Sequence, residues 1–166
     1  MTTERDDIKP TPLDSDFRWH ANRLISLARK EICVVTGEFS IYYFTDVREA
    51  LRDALYKGVE VKAYLGKCDE DTIHRVVADG IKTYPGKKLP PGEDHYMVVD
   101  GKHLIVSKKH QRYQVNVRHG YYEINSESDA RKKRALFDKL IDGINPVTVP
   151  VRDHKRDLKF IAELYQ

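Results

Sequence analysis

Residues 93–107 read Glu-Asp-His-Tyr-Met-Val-Val-Asp-Gly-Lys-His-Leu-Ile-Val-Ser, and the groups able to do chemistry gather at the start of this stretch. Glu93 and His95 are two residues apart, so on a strand they project from one face. A carboxylate beside an imidazole can transfer a proton or offer an oxygen nucleophile. Asp100 follows at an Asp-Gly step between two apolar, β-branched runs, the strongest short-range signal for a hairpin. On this reading Glu93, His95 and Asp100 converge on one small area.

Cations flank the stretch. Lys87 and Lys88 lie in the loop 85–92, which either rims a site or is a solvated connector, and Lys108 and Lys109 follow the second strand. A two-residue turn at Asp100-Gly101 would set Val99 opposite Lys102, His95 opposite Val106 and Glu93 opposite Lys108. Lys108 would then form a cross-strand ion pair with Glu93, worth less than about 1 kcal/mol if exposed, or meet a bound phosphate. The same register sends His103 to the other face, opposite Val98, which argues against a metal shared with Glu93 and His95; no metal and no other cofactor is expected.

The elements around the hairpin alternate strand and helix. Residues 1–14 carry mixed charge, two prolines and no periodicity, and read as a mobile leader to a single domain at 15–166. Phe17, Ala21, Leu24, Ile25 and Ala28 recur at helical spacing behind Asp16 as cap; residues 32–36 then form a continuous apolar run suited to a buried strand. A helix capped by Thr45 or Asp46 carries Val47, Ala50, Leu51, Ala54 and Leu55 to a stop at Gly58, and a strand follows at 59–65. Strand, helix, strand at this spacing is a right-handed parallel crossover, so the fold class is α/β.

Further on, the pattern gives a short helix at 71–78, strands at 81–84, 113–117 and 121–124, and a long helix behind Ser126 or Ser128 with Ala130, Leu136, Phe137, Leu140 and Ile141 facing inward. That helix holds Arg131-Lys132-Lys133-Arg134, a solvated face or an anion-binding one. A last amphipathic segment spans 153–165.

The hairpin resembles the signature of the phospholipase D superfamily: His-x-Lys, four spacers and Asp, then Gly and a second strand ending in Gly-Ser-x-Asn. Asp100 and Gly101 occupy the Asp-Gly positions, whereas His95 stands at the Lys position and Glu93 at that of the nucleophilic His. Ser107, Lys108, Lys109 and His110 fill the Gly-Ser-x-Asn positions. The opening strand and helix, the Gly58-Val59-Glu60-Val61 step, and residues 121–124, with Glu123 where a Glu commonly supports the catalytic His, extend the resemblance over 16–142. It implies a phospholipase D-like mixed sheet flanked by helices in a single domain.

In that family the His takes the phosphoryl group, the Lys balances phosphate charge, and the His of a second copy protonates the leaving group. One copy here implies a C2 homodimer. Glu93 in place of His puts an anion against an anionic substrate, and His95 in place of Lys gives up a permanent cation; both changes oppose cleavage.

The net charge of +3 permits an anionic partner without requiring one. With 40% hydrophobic and 33% charged residues the composition suits a solvated globular domain, and no apolar run reaches spanning length or forms a signal peptide, so cytoplasmic residence is expected. Cys33 and Cys68 read as reduced thiols.

The resulting expectation is a degenerate phospholipase D-like domain that binds a phosphate-bearing ligand without cleaving it. Nucleic acid is favoured, since Lys87, Lys88, Lys108, Lys109, Arg112 and Arg118 interleave with Tyr84, His110 and Tyr113. The alternatives are a phospholipid headgroup at a membrane surface, a metal-independent phosphodiesterase or nuclease using Glu93, His95, Asp100 and Glu123, and a protein-interaction module.

Overall fold

The computed structural model describes residues 11–12, 17–88, 95–107, 120–123 and 127–148. In chain order these give β1 (Thr11–Pro12), α1 (Phe17–Ser26), β2 (Glu31–Thr36), a 3-10 turn (Ser40–Tyr43), α2 (Thr45–Tyr56), β3 (Glu60–Leu65), α3 (Glu70–Ala78), β4 (Lys82–Pro85), β5 (His95–Val99), β6 (His103–Ser107), β7 (Gly120–Glu123) and α4 (Glu127–Ile141). The described strands make one mixed sheet of order β1-β7-β6-β5-β2-β3-β4. β2, β3 and β4 are parallel, and β5 turns antiparallel against β2 and begins a meander through β6 and β7.

Helices cover both faces. Ile32 and Val34 of β2, Met97 and Val99 of β5 and Ile105 of β6 pack under Leu24 and Ile25 of α1, Val47 and Leu51 of α2 and Val76 of α3. The alternate residues Cys33, Val35, Val98, Leu104 and Val106 pack under Ala130 and Phe137 of α4. This period of two, buried on both sides, explains why the strands read as continuous apolar runs.

Asp100 ties the hairpin to the beginning of β2. Its Oδ2 accepts the backbone N–H of Arg29 at 2.9 Å, and its Oδ1 accepts those of Lys30 at 2.8 Å and Glu31 at 3.0 Å. Asp100 and Gly101 both take left-handed backbone, φ 56° and 66°, a combination that Asp and Gly adopt at low cost. Burial works to raise the Asp100 pKa, but the N–H donors of Glu31, Lys30 and Arg29, with nearby His103, hold it below the ordinary carboxylate value. Burial, the largest influence on His103, lowers its pKa against the opposing pull of Asp100.

Several expectations are corrected. The turn contains an extra residue: Lys102 N–H bonds the Val99 carbonyl, but Val99 stands opposite His103 and His95 opposite Ser107. The expected pairings of His95, Val98 and Val99 therefore slip by one, and His103 lies on the His95 face, at the other end of the strands. α2 is preceded by Phe44 as N-cap, without a side-chain cap, rather than by Thr45 or Asp46. Within the expected leader, Thr11–Pro12 pairs with β7. Leu136 is 44% exposed instead of facing inward.

The Arg131–Arg134 run is not a uniform solvated face either. Arg134 grips Glu31 through two nitrogens at 2.8 and 3.3 Å, Arg131 pairs with Glu127, and Lys133 lies 5.0 Å above the Tyr96 ring. The strand expected at 113–117 and the segment 153–165 lie outside the described residues.

Asp100→Asn keeps a residue that tolerates left-handed backbone while removing the charge. It should lower the free energy of unfolding by about 1–3 kcal/mol at pH 7, read from urea denaturation. Because the Asp100 pKa is depressed by folding, its contribution is complete above the unfolded carboxylate value and lost as pH falls through the folded one. The gap between wild type and Asp100→Asn should therefore close below about pH 4. His103, held neutral, adds a separate loss in wild type as pH falls below about 6.5, where the unfolded chain binds the proton first.

Candidate functional site

The sheet changes sense at β2, which has parallel β3 on one side and antiparallel β5 on the other. Ligands of open α/β sheets gather at such a switch, beyond the C-terminal ends of the parallel strands. That edge carries Thr36 at the end of β2, His95 at the start of β5 and Ser107 at the end of β6. By register the three fall in one row on the face covered by α1–α3.

Among the described residues, His95 is held through its Nδ1. The N–H of Gly37 donates to its Nδ1 at 3.3 Å, and the Thr36 hydroxyl lies 3.0 Å from the same nitrogen. A backbone N–H can only donate, so Nδ1 is the acceptor and the ring proton belongs on Nε2. The loop providing Gly37 is pinned on the other side by Gly66 N–H to the Thr36 carbonyl at 2.8 Å and Lys67 N–H to the Gly37 carbonyl at 3.3 Å. Two residues on, Phe39 takes left-handed backbone at φ 55°, a strained conformation for a bulky side chain, anchored by its buried ring 5.3 Å from that of Tyr42.

Ser107, opposite His95, is 1% exposed, and its hydroxyl has no hydrogen-bond partner among the described residues. A buried hydroxyl without a partner costs free energy, so Ser107 is an unexplained polar group at the switch edge, beside an imidazole. Thr36 and Ser107 are the site residues that sequence reasoning missed. Ser107 could have been found only from the correct register, which hinges on the extra turn residue Lys102.

The other expected site residues divide. Asp100 is at the opposite end of β5 from His95, about 17 Å along the strand, where it binds backbone instead of joining the site. Glu123 stands opposite Leu104, three residue pairs, or about 10 Å, along β6 from the Ser107 position, again toward the turn. The expected convergence of Glu93, His95 and Asp100 is therefore corrected: the register separates His95 from Asp100.

Lys87 and Lys88 are exposed at the same edge as His95, just beyond β4 and three strand spacings, or about 14 Å, to the side of β5. Their loop is fixed by the Tyr64 hydroxyl donating to the Lys88 carbonyl at 2.7 Å, and the Tyr64 phenol fills the space that a Cβ on Gly86 would need. Glu93, Lys108 and Lys109 lie outside the described residues.

Among the described residues no group of three His, Cys, Asp or Glu side chains could hold a metal. Both thiols are free. Burial, with Glu31 adding to it, pushes the Cys33 thiol up to about 12, and burial raises Cys68 as well, so neither is a thiolate nucleophile at neutral pH. Among the described residues no helix is long and apolar enough to cross a membrane.

A mixed sheet covered by helices on both faces, with its hairpin folded against the strand at the switch point, defines a phospholipase D-like fold. The chain is similar to Nuc from Salmonella typhimurium, a phospholipase D family member, with a TM-score of 0.64 and 16% identity over 85% of this chain and 100% of that one. It is similar also to NucT from Helicobacter pylori, with a TM-score of 0.61 and 12% identity over 84% of this chain and 99% of that one. A further likeness is to TrmBL2, an archaeal chromatin protein with a novel mode of DNA binding, at a TM-score of 0.64 and 10% identity over 83% of this chain but 53% of that one. No protein-family model and no curated protein matches the chain.

Ser107→Ala should raise the free energy of unfolding by about 1 kcal/mol, since it removes a buried hydroxyl that lacks a partner. Urea denaturation checks this; a loss of stability instead would mean that the hydroxyl is satisfied in the folded protein.

Proposed function

We propose that this phospholipase D-like domain binds a phosphate-bearing ligand, nucleic acid by preference, at the edge formed by Thr36, His95 and Ser107, and does not cleave it. One observation carries the reading: the His95 Nδ1 lone pair is taken up by Gly37 N–H, leaving the ring's other nitrogen as an N–H. An Nε2–H donates a hydrogen bond to a phosphate oxygen; it does not attack phosphorus, which needs a bare lone pair. The Ser107 hydroxyl would add a neutral donor, and Lys87 and Lys88 at the same edge would supply charge for the flanking phosphates. Glu93, Lys108 and Lys109 would complete the set.

Fold likeness to a chromatin protein described as having a novel mode of DNA binding supports nucleic acid as the ligand. We further propose that the domain works as a two-fold dimer in the cytoplasm, with no cofactor.

Two assays test the proposal. Hydrolysis of bis(4-nitrophenyl) phosphate with chelator present should be undetectable for wild type; turnover abolished by Glu93→Ala or His95→Ala would make the protein a phosphodiesterase with a new nucleophile or base. Binding of a fluorescein-labelled oligonucleotide, read by anisotropy at low salt, should weaken about tenfold in His95→Ala, corresponding to loss of a phosphate contact of about 1.4 kcal/mol. Undiminished binding in that variant would remove His95 from the interface.

A further inference from the structure

The surface formed by α1, the 3-10 turn, α2 and α3 has a composition that the site at the strand edge does not explain. A cleft of about 210 Å³ opens there, lined by Tyr42, Tyr43, Thr45, Arg48, Glu49, Arg52 and Arg75. Its floor is a built network. Arg48 Nε and Nη2 donate to the two Asp79 oxygens at 2.8 and 3.2 Å, the Tyr42 hydroxyl donates to the same carboxylate, and Arg52 stands 4.0 Å from it. Asp79 is thereby ionised, its pKa held down against burial by Arg48 and Tyr42. Arg48 is the main partner of Asp79 and Arg52 shares that carboxylate at longer range, so Arg52 and Arg75 bring net positive charge to a cleft whose described lining holds one acidic side chain, Glu49.

Rings and guanidinium groups alternate across this surface. Arg75 lies 6.0 Å from the Tyr43 ring centre, Arg48 5.6 Å from that of Tyr42, Arg18 4.8 Å from that of Phe44 and Arg23 5.8 Å from that of Trp19. Three of these rings keep large exposed areas: Trp19 is 58% exposed, Tyr43 52% and Phe44 43%. A folded domain does not gain stability by leaving three large rings in water, each beside an arginine. Cations that track a backbone and open ring faces that accept bases are the two requirements for holding a single strand.

We infer that this surface is a second contact for single-stranded nucleic acid, with one backbone phosphate in the Arg52–Arg75 cleft and bases stacked on Tyr43 and Phe44. The inference rests on the nucleic-acid reading of the domain and extends it from the strand edge to the outer helical face. Asp46, which pairs with Arg18 at 3.3 Å and accepts from Asn22 at 2.9 Å, holds α1 against α2 and fixes the spacing of the rings.

The test compares a labelled single-stranded oligonucleotide bound to wild type, to Arg52→Glu with Arg75→Glu, to Tyr43→Ala, and to Lys132→Glu with Lys139→Glu as a control of equal charge on α4. All are checked for wild-type thermal unfolding, and Arg48 is left intact because it holds Asp79. The cleft double variant should bind at least tenfold more weakly, with the dependence of log affinity on log salt shallower by about 0.7 for one lost phosphate. Tyr43→Ala should weaken binding about fivefold, and the α4 control should change it less than twofold.

Equal weakening by the α4 control would show a general charge effect and overturn the inference. Unchanged binding by the cleft variant while His95→Ala still weakens it would overturn the inference and leave the strand-edge reading standing. Absence of binding by wild type at low salt would overturn both. Sedimentation with phosphatidylserine vesicles that is lost in the cleft variant, with oligonucleotide binding intact, would assign the surface to a membrane and overturn it as well.

Discussion

Strand β2 must satisfy two neighbours of opposite sense, and the Asp100 carboxylate fixes how it does so. Three successive N–H groups, from Arg29 to Glu31 at the start of β2, need acceptors as the chain enters the sheet. Asp100 takes all three, and its own N–H returns to the Glu31 carbonyl at 2.9 Å. The β5–β6 hairpin is thereby locked at one end against β2, and its pairing with β2 from Ile32–Val99 to Val35–Tyr96 follows from that anchor. At the other end of the same strands, the lock delivers His95 to Thr36 and Gly37.

The two ends therefore divide the work. The turn end is charged, saturated with backbone bonds and structural. The far end has an imidazole oriented by Gly37, a buried hydroxyl at Ser107 without a partner among the described residues, and a strained residue at Phe39. Orphaned polar groups and strained backbone are kept where the surrounding structure compels them, and they concentrate at functional edges. The outer helical face has exposed rings instead of strain, a cost in solvation that a bound strand would recover.

Much of the fold was legible because its signals are local. The runs at 32–36 and 59–65, the helix stripe through Val47, Leu51 and Ala54, and the Asp100-Gly101 turn each state their structure within a few residues. The family resemblance supplied the sheet's mixed sense, which periodicity alone does not encode. The site was less legible because it depends on register. One additional residue, Lys102, moves every β6 partner by a position, and with it the choice between Val106 and Ser107 opposite His95. Charge patterns misled in the same way: the four cations of α4 look alike in sequence, yet Arg134 is consumed by Glu31, a residue far away in the chain.

The claim on which the functional reading turns is that His95 presents N–H rather than a lone pair to the switch edge. Long-range proton–nitrogen correlation on protein carrying nitrogen-15 histidine, at neutral pH and assigned with His95→Gln, reads the tautomer directly. A bare Nδ1 with the proton on Nε2 is predicted, and it should persist when an oligonucleotide is added. A ring protonated on Nδ1, with Nε2 bare, would contradict it and return His95 to the role of a nucleophile or base.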